Sequence, residues 1–482
     1  MLAKALSETV IKKDPDNIKA KIVKGYAELH EGDLKNAGQT FQEIARKKEG
    51  EASGKEGLAA VYVKKGQMNK ALELASEAER KDPGRTYAHL IKGDILYSQN
   101  KIKEAGAEYR KAVQKTKADD YRKAAAYNKL GRFQSKLGNY KVARELYDQA
   151  VNIDPYYLEA TSNKGVTYEK EGKWDQALKT YQKALHINKN DTFSAVLAKK
   201  AQEMLELQKN IAQKKRIDKL VKDLIKRYHS QKKTSFKSKD GWTSRPMILS
   251  LVDFQEKGGL TQRDGFADVL TTRLTDLLNS SGRVQVVERV VIERVLEELN
   301  LGSSELADKE TALKLGKVLA AKLIGTGSLL FSQEEAFITL RLIDTETSAI
   351  PKIIAKPLNL DMPFDKTAYQ LNREILKAVI LKYPLQAYVA QVADDHVIIN
   401  LGAKQGVVLK TKFDVIEERK PIKFKGKLLR RSPNNVALVE IVEVEPDLSI
   451  ARILKQERPL RENDMLKEKI DALFAGGSAD GQ

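Results

Sequence analysis

The 482-residue sequence contains no cysteine. This absence excludes disulfide bonds, thiolate zinc sites, thiol nucleophiles and lipid attachment to cysteine within these residues. The sequence also lacks an apolar run of about 18 residues or more, so it predicts no membrane-spanning helix. Its five histidines are far apart in the chain and do not have the spacing of a metal site. They are His30, His89, His186, His229 and His396.

Catalytic motifs are also missing. The one local cluster of titratable side chains is Asp394-Asp395-His396, and Asp-Asp between two predicted strands is common in turns. No Ser–His–Asp arrangement or paired-carboxylate pocket can be argued from the residues. We therefore predict that the protein is not an enzyme and that it has no catalytic residue, no cofactor and no bound metal.

The formal charge of +19 is concentrated in two segments. Residues 189–239 contain fifteen basic and five acidic residues, and residues 404–431 contain ten basic and three acidic residues. Charge of this sign favours anionic partners such as lipid headgroups, acidic protein surfaces or nucleic acid. A solvated helix face and a solvated hairpin would also account for it, and both interpretations stay open at this point.

A repeat is the strongest signal in the first half of the chain. A small residue recurs at steps of 34, 34, 38 and 34 residues, at Gly25, Ala59, Gly93, Gly131 and Gly165. Such a residue lets the two helices of one repeat approach closely, and the uncovered face of each pair requires the pairs to stack. The pattern resembles the tetratricopeptide repeat family over about residues 17–190 and predicts an α-solenoid.

The first residues, MLAKALSETVIKKDP, fit the end of this pattern. Ala3 and Pro15 hold the positions that alanine and proline hold in later repeats. The segment therefore reads as the second helix of a repeat whose first helix is missing. We expect that the natural chain begins upstream, with an export signal or a lipid anchor.

The first helices of the repeats should line a groove that holds a peptide or a neighbouring protein. The residues predicted to face this groove are Tyr26, Asp94, Tyr97, Asn128 and Arg132. Each of them could instead only pack between helices. Some tetratricopeptide proteins clamp a C-terminal carboxylate with lysine and asparagine on the first helix, but the matching positions here contain no such pair.

Apolar residues continue at helical spacing beyond the repeats. They predict one helix over residues 191–228 that caps the solenoid, so we assign residues 1–228 to the solenoid with its capping helix. The following segment, HSQKKTSFKSKDGWTSR, is basic and has no period. It predicts a basic linker over residues 229–245.

From Pro246 onward short strands alternate with helices, which predicts an α/β domain over residues 246–384. Its first strand, MILSLVDF, is followed by the loop QEKGGLTQRDG, in which Asp264 is placed to cap the next helix. Backbone N–H groups of such a loop can hold a phosphate, but neither GxGxxG nor GxxxxGK[ST] is present. A flexible turn with a cap is the simpler interpretation.

The order of motifs in this domain carries a second resemblance. The segments LTTRLTDLLNSSGRVQVVERVVIERVLEEL, LGKVLAAKLIGTGSL and LRLIDTET resemble the curli-secretion component (CsgG) family over about residues 246–383. The resemblance implies an α/β sandwich, a periplasmic or outer-membrane setting, and protein interaction instead of catalysis.

A secretion channel of that family needs two membrane hairpins in each subunit, for which about 40 residues are required. Predicted strands and helices already use nearly all of residues 246–384. The tip of the 322–345 hairpin carries Glu334 and Glu335. We therefore predict a domain that forms no pore.

The last part of the chain alternates with period two and is punctuated by Gly402 and Gly406. It predicts a small β-barrel over residues 385–470, followed by a disordered tail over 471–482. The segments VIINLGAKQGVVLKTKFDV, ALVEIVEV and SIARIL resemble the C-terminal domain of the flagellar assembly protein FlgT over about residues 386–468. Asn463-Asp464 replaces the expected Gly-Asp before the last strand, which can alter one turn.

These observations together predict a non-enzymatic protein–protein interaction scaffold of the bacterial cell envelope, periplasmic and associated with the outer membrane. It would assist the assembly of an outer-membrane or periplasmic machine. Its expected partners are proteins of an envelope assembly or secretion machine, a homo-oligomer of the chain itself, and an anionic surface at residues 189–239 and 404–431. A subunit of a CsgG-type secretion channel and a basic cytoplasmic adaptor for nucleic acid are the alternatives, but no nucleic-acid-binding fold or aromatic-basic platform supports the adaptor.

Overall fold

The computed structural model describes residues 2–114, 121–230, 242–252, 254–261, 263–301, 308–331, 336–358, 364–424, 427–429 and 431–470. The helices are α1 (Leu2–Lys13), α2 (Ile18–His30), α3 (Leu34–Arg46), α4 (Glu51–Lys64), α5 (Met68–Lys81), α6 (Thr86–Ser98), α7 (Ile102–Gln114), α8 (Tyr121–Lys136), α9 (Tyr140–Ile153), α10 (Leu158–Lys170), α11 (Trp174–Ile187), α12 (Thr192–Lys209), α13 (Ile211–Ser230), α14 (Phe266–Ser280), α15 (Arg289–Leu299), α16 (Lys309–Val318) and α17 (Phe364–Lys382). The strands are β1 (Ile248–Leu251), β2 (Gln255–Gly258), β3 (Gln285–Val286), β4 (Leu323–Phe331), β5 (Ala336–Asp344), β6 (Lys352–Leu358), β7 (Gln386–Val392), β8 (His396–Ile399), β9 (Lys412–Glu417), β10 (Ile422–Phe424), β11 (Lys427–Leu429), β12 (Asn434–Val444), β13 (Ser449–Gln456) and β14 (Met465–Glu468).

Helices α2 to α11 form five pairs that stack on one another, and this stacking confirms the predicted α-solenoid. Helix α1 packs on α2, and it exposes Leu2, Leu6 and Val10, which recur every four residues along the helix. The pairs are α2–α3, α4–α5, α6–α7, α8–α9 and α10–α11.

The close approach within each pair depends on a match of small and large residues. In four repeats a glycine of the first helix faces an aromatic ring of the second, and a Cβ atom on any of these glycines would lie 2.4–2.8 Å from that ring. In the remaining repeat the same two positions hold Ala59 and Ala75, both fully buried. The ring therefore fills the space that a larger residue would need. The glycine–aromatic pairs are Gly25–Phe41, Gly93–Tyr109, Gly131–Tyr147 and Gly165–Tyr181.

The segment after the last repeat forms two helices instead of one. The break lies at Asn210, whose extended backbone (φ −88°, ψ 90°) ends α12. Helix α12 packs on α11 and caps the solenoid, whereas α13 buries Ile217, Val221 and Leu224 against α15 and α16 of the α/β domain. The predicted single capping helix over 191–228 is thus corrected, because the apolar face of α13 is covered by helices that lie outside the solenoid.

The α/β domain contains a sheet with strand order β3-β1-β4-β5-β6, and β2 pairs in parallel with the far end of β4. Strand β1 runs parallel to β3 and β4, while β4, β5 and β6 are antiparallel. Helices α14 and α17 cover one face of the sheet, and α13, α15 and α16 cover the other. This layered arrangement confirms the predicted α/β sandwich, and it places the β4–β5 hairpin at the centre of the sheet.

The C-terminal strands close into a barrel in the order β12-β13-β8-β7-β14-β9, around a core that includes Val389, Phe413 and Val439. The small β-barrel is therefore confirmed. Strands β10 and β11 pair with each other outside this barrel. Asn463 adopts the left-handed conformation (φ 67°), which asparagine tolerates better than most residues. This explains how asparagine can replace the expected glycine.

Buried polar contacts join the barrel to the α/β domain. Arg283 donates from Nη2 to Glu468 Oε2 (2.8 Å), and both side chains are buried. The end of the predicted linker packs on the barrel, where Trp242 Nε1 donates to the carbonyl of Ala387 (3.0 Å). Among the residues that the structure describes, no helix combines the length and the apolar character required to cross a bilayer.

Candidate functional site

The predicted groove residues lie on the first helices of three repeats. Tyr26 of α2 packs edge-on against Phe41 and Tyr87, with ring centroids 5.0 and 5.8 Å apart, and donates to Glu56 (3.2 Å). It is therefore half-buried between helices. The other four residues, Asp94, Tyr97, Asn128 and Arg132, cluster at α6 and α8.

The chain places one of its own segments in this groove. We call β2 and the residues after it (259–261 and 263–265) the docking segment. Leu260 is buried among apolar groove residues that include Leu130 and Phe133. Its carbonyl accepts a hydrogen bond from Lys129 Nζ (2.8 Å), and the same ammonium group pairs with Asp94 (3.2 Å). Apolar burial of Leu260 and a hydrogen bond to its backbone carbonyl thus hold the segment against the solenoid.

Arg132 and Asp264 form the central contact of the groove. The Nε and Nη2 atoms of Arg132 donate to Asp264 Oδ1 at 3.1 and 2.7 Å, and the side chains are only 1% and 4% exposed. The Tyr147 hydroxyl donates to Asp264 Oδ2 (3.3 Å). Burial raises the pKa of the Asp264 carboxyl, but the charges of Arg132 and Lys136 outweigh burial and keep this pKa below its usual value.

Asn128 reaches the same segment through a second asparagine. The backbone N–H of Asp264 donates to Asn163 Oδ1 (2.8 Å), and Asn163 Nδ2 donates to Asn128 Oδ1 (2.9 Å). Tyr97 lies beside the segment and packs edge-on against Phe133, with ring centroids 6.2 Å apart. The structure thus brings Asp94, Asn128 and Arg132 together around one segment, while Tyr26 lies apart.

Acidic and basic side chains of the docking segment each pair with an oppositely charged side chain of the solenoid or of α12. Arg263 donates to both carboxylate oxygens of Asp191 (2.7 and 2.8 Å), and its guanidinium lies 4.2 Å from the Phe193 ring centroid. Lys136 donates to Glu256 (2.8 Å). Since neighbouring residues 263 and 264 have opposite charges and each meets its complement, a shift by one residue would place like charges together.

Helix α12 extends the interface beyond the groove. Lys200 pairs with Glu169 of the solenoid (2.8 Å) and with Asp268 of α14 (2.7 Å). Phe193 contacts the rings of Phe266 and Phe364, with centroids 6.4 and 6.2 Å away. The solenoid and the α/β domain are therefore joined by apolar and ionic contacts together.

No sequence motif indicates that the docking segment is a ligand of the solenoid. Asp264 was expected to cap α14, but its carboxylate is used by Arg132, and the N-cap residue is Gly265 in the left-handed conformation (φ 81°). Glu256 instead accepts from the N–H of Ala267 in the first turn of α14 (3.0 Å). The opposite charges of residues 263 and 264 were the available signal, but their partners lie far away in the sequence.

Outside the groove, the described part of the chain includes two groups in which a histidine lies beside carboxylates. Asp394-Asp395-His396 forms the predicted turn between β7 and β8, in which the N–H of Ala393 donates to the carbonyl of His396 (2.9 Å). In the solenoid, Glu79, His89 and Glu108 have ligand atoms within 4.8 Å of one another, which is compatible with a metal ion.

Lysines already supply positive charge to this second cluster. Lys92 and Lys111 contact the carboxylates of Glu79 and Glu108. Burial alone would raise the pKa of Glu108. Hydrogen bonds from His89 and Lys111 have the larger combined effect and lower this pKa to about 2. The ionised carboxylate is thus explained by side chains of the solenoid itself.

Comparison with known protein families agrees with this architecture. A model of the "Tetratricopeptide repeat-like domain" matches residues 3–130, and models of the "Tetratricopeptide repeat" match residues 124–157 and 159–191. A model of "Curli production assembly/transport component CsgG" matches residues 212–350, which include α13.

Individual relatives match only parts of the chain. Human (Homo sapiens) DnaJ homolog subfamily C member 7 is 26% identical over 181 residues, or 35% of this chain and 34% of that protein. The chain thus spans about a third of the length of this curated relative.

Several solved structures are similar to part of the chain. MamA is 24% identical, with 34% of this chain and 94% of that chain covered and a TM-score of 0.29. YrrB, described as a TPR protein with an unusual peptide-binding site, is 20% identical (41% and 97% covered, TM-score 0.29). The pilF protein of Pseudomonas aeruginosa is 16% identical (45% and 97% covered, TM-score 0.35). The family models alone therefore identify tetratricopeptide repeats within residues 3–191 and a CsgG domain over residues 212–350, and the structure adds a C-terminal six-stranded barrel.

Proposed function

We propose that this chain is a non-enzymatic scaffold of the bacterial cell envelope that assists assembly of an outer-membrane or periplasmic machine. The matched families are non-catalytic, and the CsgG match supports an envelope or outer-membrane association. The observation that supports the proposal is the contact of residues 255–261 and 263–265 with the predicted groove residues, which is made through apolar burial and matched charges.

A scaffold must hold its binding surfaces in a fixed relation. The Arg132–Asp264 and Arg263–Asp191 pairs join the solenoid to the α/β domain, and the Arg283–Glu468 pair joins that domain to the barrel. We propose that the α/β domain begins with α13, because its apolar face is buried there. The three domains then act as one unit that presents several surfaces to partners.

The predicted groove residues that remain partly exposed are the best candidates for contact with a partner. Asn128 and Arg132 are buried by the chain's own segment, whereas Tyr26, Asp94 and Tyr97 remain partly exposed. We propose that a partner protein contacts the α2–α6 part of the groove beside the docking segment.

Photo-crosslinking in the native cell tests this function. A photoreactive phenylalanine replaces Tyr97 in one variant and Val142, an exposed residue of α9, in a matched control. We expect an envelope protein to be crosslinked at position 97 and not at 142, and the full chain to fractionate with the periplasm or outer membrane. Purely intramolecular products at position 97, or a cytoplasmic location, would contradict the proposal.

The channel alternative has a separate test. Because the β4–β5 hairpin is paired at the centre of the sheet, with β1 on one side and β6 on the other, we expect the purified protein to give no conductance in planar bilayers. Stepwise currents would favour the CsgG-type channel over the scaffold.

A further inference from the structure

The connection between β9 and β12 is longer than the barrel requires. These strands are antiparallel neighbours whose pairing ends at Glu417 and Asn434, and 16 residues (418–433) join them. The other hairpins of the barrel are joined by three residues (393–395) and four residues (445–448). Since about two to five residues suffice for such a turn, the long connection is an addition to the barrel.

The added segment forms a ribbon of its own. Strands β10 and β11 are antiparallel, with Ile422 opposite Leu429 and Lys423 opposite Leu428. They pair with each other and belong to neither the barrel nor the large sheet. We call β10 and β11 the basic ribbon. An isolated two-stranded ribbon has little stability in water, so a surface that receives it would stabilise it.

The chemistry of the ribbon is apolar and cationic together. Residues 418–433 contain seven basic residues and one acidic residue. Ile422, Leu428 and Leu429 expose 52%, 69% and 48% of their surface. The barrel core is complete without them, so their exposure is not the result of a missing strand.

This combination fits one kind of surface best. Apolar side chains can enter the boundary between headgroups and acyl chains, while lysine and arginine stay at the level of anionic headgroups. A nucleic acid would use the positive charge but leave the aliphatic side chains in water. An acidic protein surface would have to be both apolar and densely negative, which is rare at protein interfaces.

We propose that the basic ribbon docks the barrel onto an anionic phospholipid bilayer. Ile422 and Leu429, which are opposite each other on one face of the ribbon, enter the interface. Lys423 on the other face and Lys420 just before the ribbon contact the phosphate groups. This surface is distinct from the solenoid groove, so the scaffold can bind a protein partner and a membrane at the same time.

Co-sedimentation of the full chain with vesicles tests the proposal. Vesicles of phosphatidylglycerol with phosphatidylcholine are compared with vesicles of phosphatidylcholine alone. We expect at least tenfold tighter binding to the anionic vesicles, weakened by salt. Both Ile422→Ser/Leu429→Ser and Lys420→Glu/Lys423→Glu should lose that binding about tenfold. The matched control Leu454→Ser/Lys455→Glu, which changes an exposed pair on β13, should bind like the wild type.

A second variant distinguishes insertion from adsorption by charge. Leu429→Trp, on the face shared with Ile422, should show a blue-shifted fluorescence difference against the wild type only with anionic vesicles. The proposal is overturned if the wild type does not bind anionic vesicles, or if the ribbon variants bind these vesicles as well as the wild type does. It is also overturned if the wild type binds DNA or poly-glutamate instead of the vesicles. Since the crosslinking test concerns the groove, either result leaves the scaffold function to its own experiment.

Discussion

At the scale of single residues, the contact that matters most is the buried pair of Arg132 and Asp264. Burial of two charges is costly unless each is paired and hydrogen-bonded, and here Tyr147 and Asn163 complete the environment of Asp264. Such a pair adds little net stability compared with apolar residues, but one partner without the other is strongly unfavourable. It therefore selects one position of the docking segment in the groove.

Removal of one charge should reveal this asymmetry. Asp264→Leu leaves Arg132 buried without its counter-ion, and we expect a loss of about 3–5 kcal/mol in the free energy of unfolding. Arg132→Met/Asp264→Leu should recover most of this loss, because an apolar pair needs no counter-ion. Urea unfolding followed by the fluorescence of Trp174, which packs in the cluster shared by α12 and α14, measures both.

Lys179→Ala is the control for this experiment. Lys179 pairs with Asp175 on the exposed face of α11, with 69% and 62% of the side chains exposed. Its removal should change the free energy of unfolding by less than about 0.5 kcal/mol. If Asp264→Leu were as mild as Lys179→Ala, the docking segment would not be held by this pair.

The same carboxyl makes the interface sensitive to acid. Because the pKa of Asp264 is lower in the folded protein than in the unfolded chain, its stabilisation is present above the ordinary value of about 3.9 and is lost as the pH falls through the folded pKa. The pKa values of Asp191 and Glu256 are also lowered. Between about pH 5 and 3 the wild type should therefore lose more free energy of unfolding than Asp264→Asn, and equal slopes would show that Asp264 does not contribute.

At the scale of elements, four of the five helix pairs depend on a glycine that leaves room for an aromatic ring. A Cβ atom at Gly131 would lie 2.7 Å from the ring of Tyr147, whose hydroxyl contacts Asp264. The ring is fully buried and cannot move aside easily. The packing inside this repeat is therefore coupled to the groove contact.

Two glycine substitutions should have opposite effects. Gly131→Ala overpacks the α8–α9 pair at a cost of about 1–3 kcal/mol, which the better helix propensity of alanine offsets by at most about 1 kcal/mol. Gly38→Ala, where the nearest atom lies 3.9 Å away, should instead stabilise α3 by about 0.5–1 kcal/mol. Thermal unfolding monitored by circular dichroism separates them, and a stabilised Gly131→Ala would contradict the proposed close approach.

At the scale of the whole molecule, the solenoid and the α/β domain are held together mainly by contacts between residues far apart in the sequence. Arg132 and Asp264 are separated by 132 positions, and Arg263 and Asp191 by 72. The chain itself also connects the two parts, because α13 follows α12 directly and packs on the α/β domain. Loss of the groove contacts should therefore loosen the molecule without separating its parts.

Solution scattering can measure this loosening. In Arg263→Ala/Asp264→Ala we expect a larger radius of gyration than in the wild type, with an unchanged helical circular dichroism signal, because the helices themselves remain paired. Lys199→Ala, which removes an exposed contact to Asp276 at the rim, should leave the radius of gyration unchanged. An unchanged radius in the double variant would mean that α12 and α13 alone fix the arrangement.

Local patterns determined most of the fold. The repeat step, the small residues at the helix contacts and the period-two alternation depend on neighbours within about 40 residues, so one sequence is enough to predict the solenoid, the α/β sandwich and the barrel. The same patterns predict that Tyr26, Asp94, Tyr97, Asn128 and Arg132 face a groove, and the structure brings Asp94, Asn128 and Arg132 around one segment. Local patterns could not predict whether α13 would pack on the solenoid or on the α/β domain. An apolar helix face shows that the helix is covered, but it does not show which element covers it.

Tertiary structure alone decided what occupies the groove. Asp264 had a plausible local role as a helix cap, and only folding brought it to Arg132, where a buried guanidinium binds a carboxylate more strongly than a helix end does. The sequence by itself therefore determined the three domains and the small-against-large packing of the repeats. The three-dimensional fold decided which charges meet, because complementarity between distant residues exists only once both surfaces are formed.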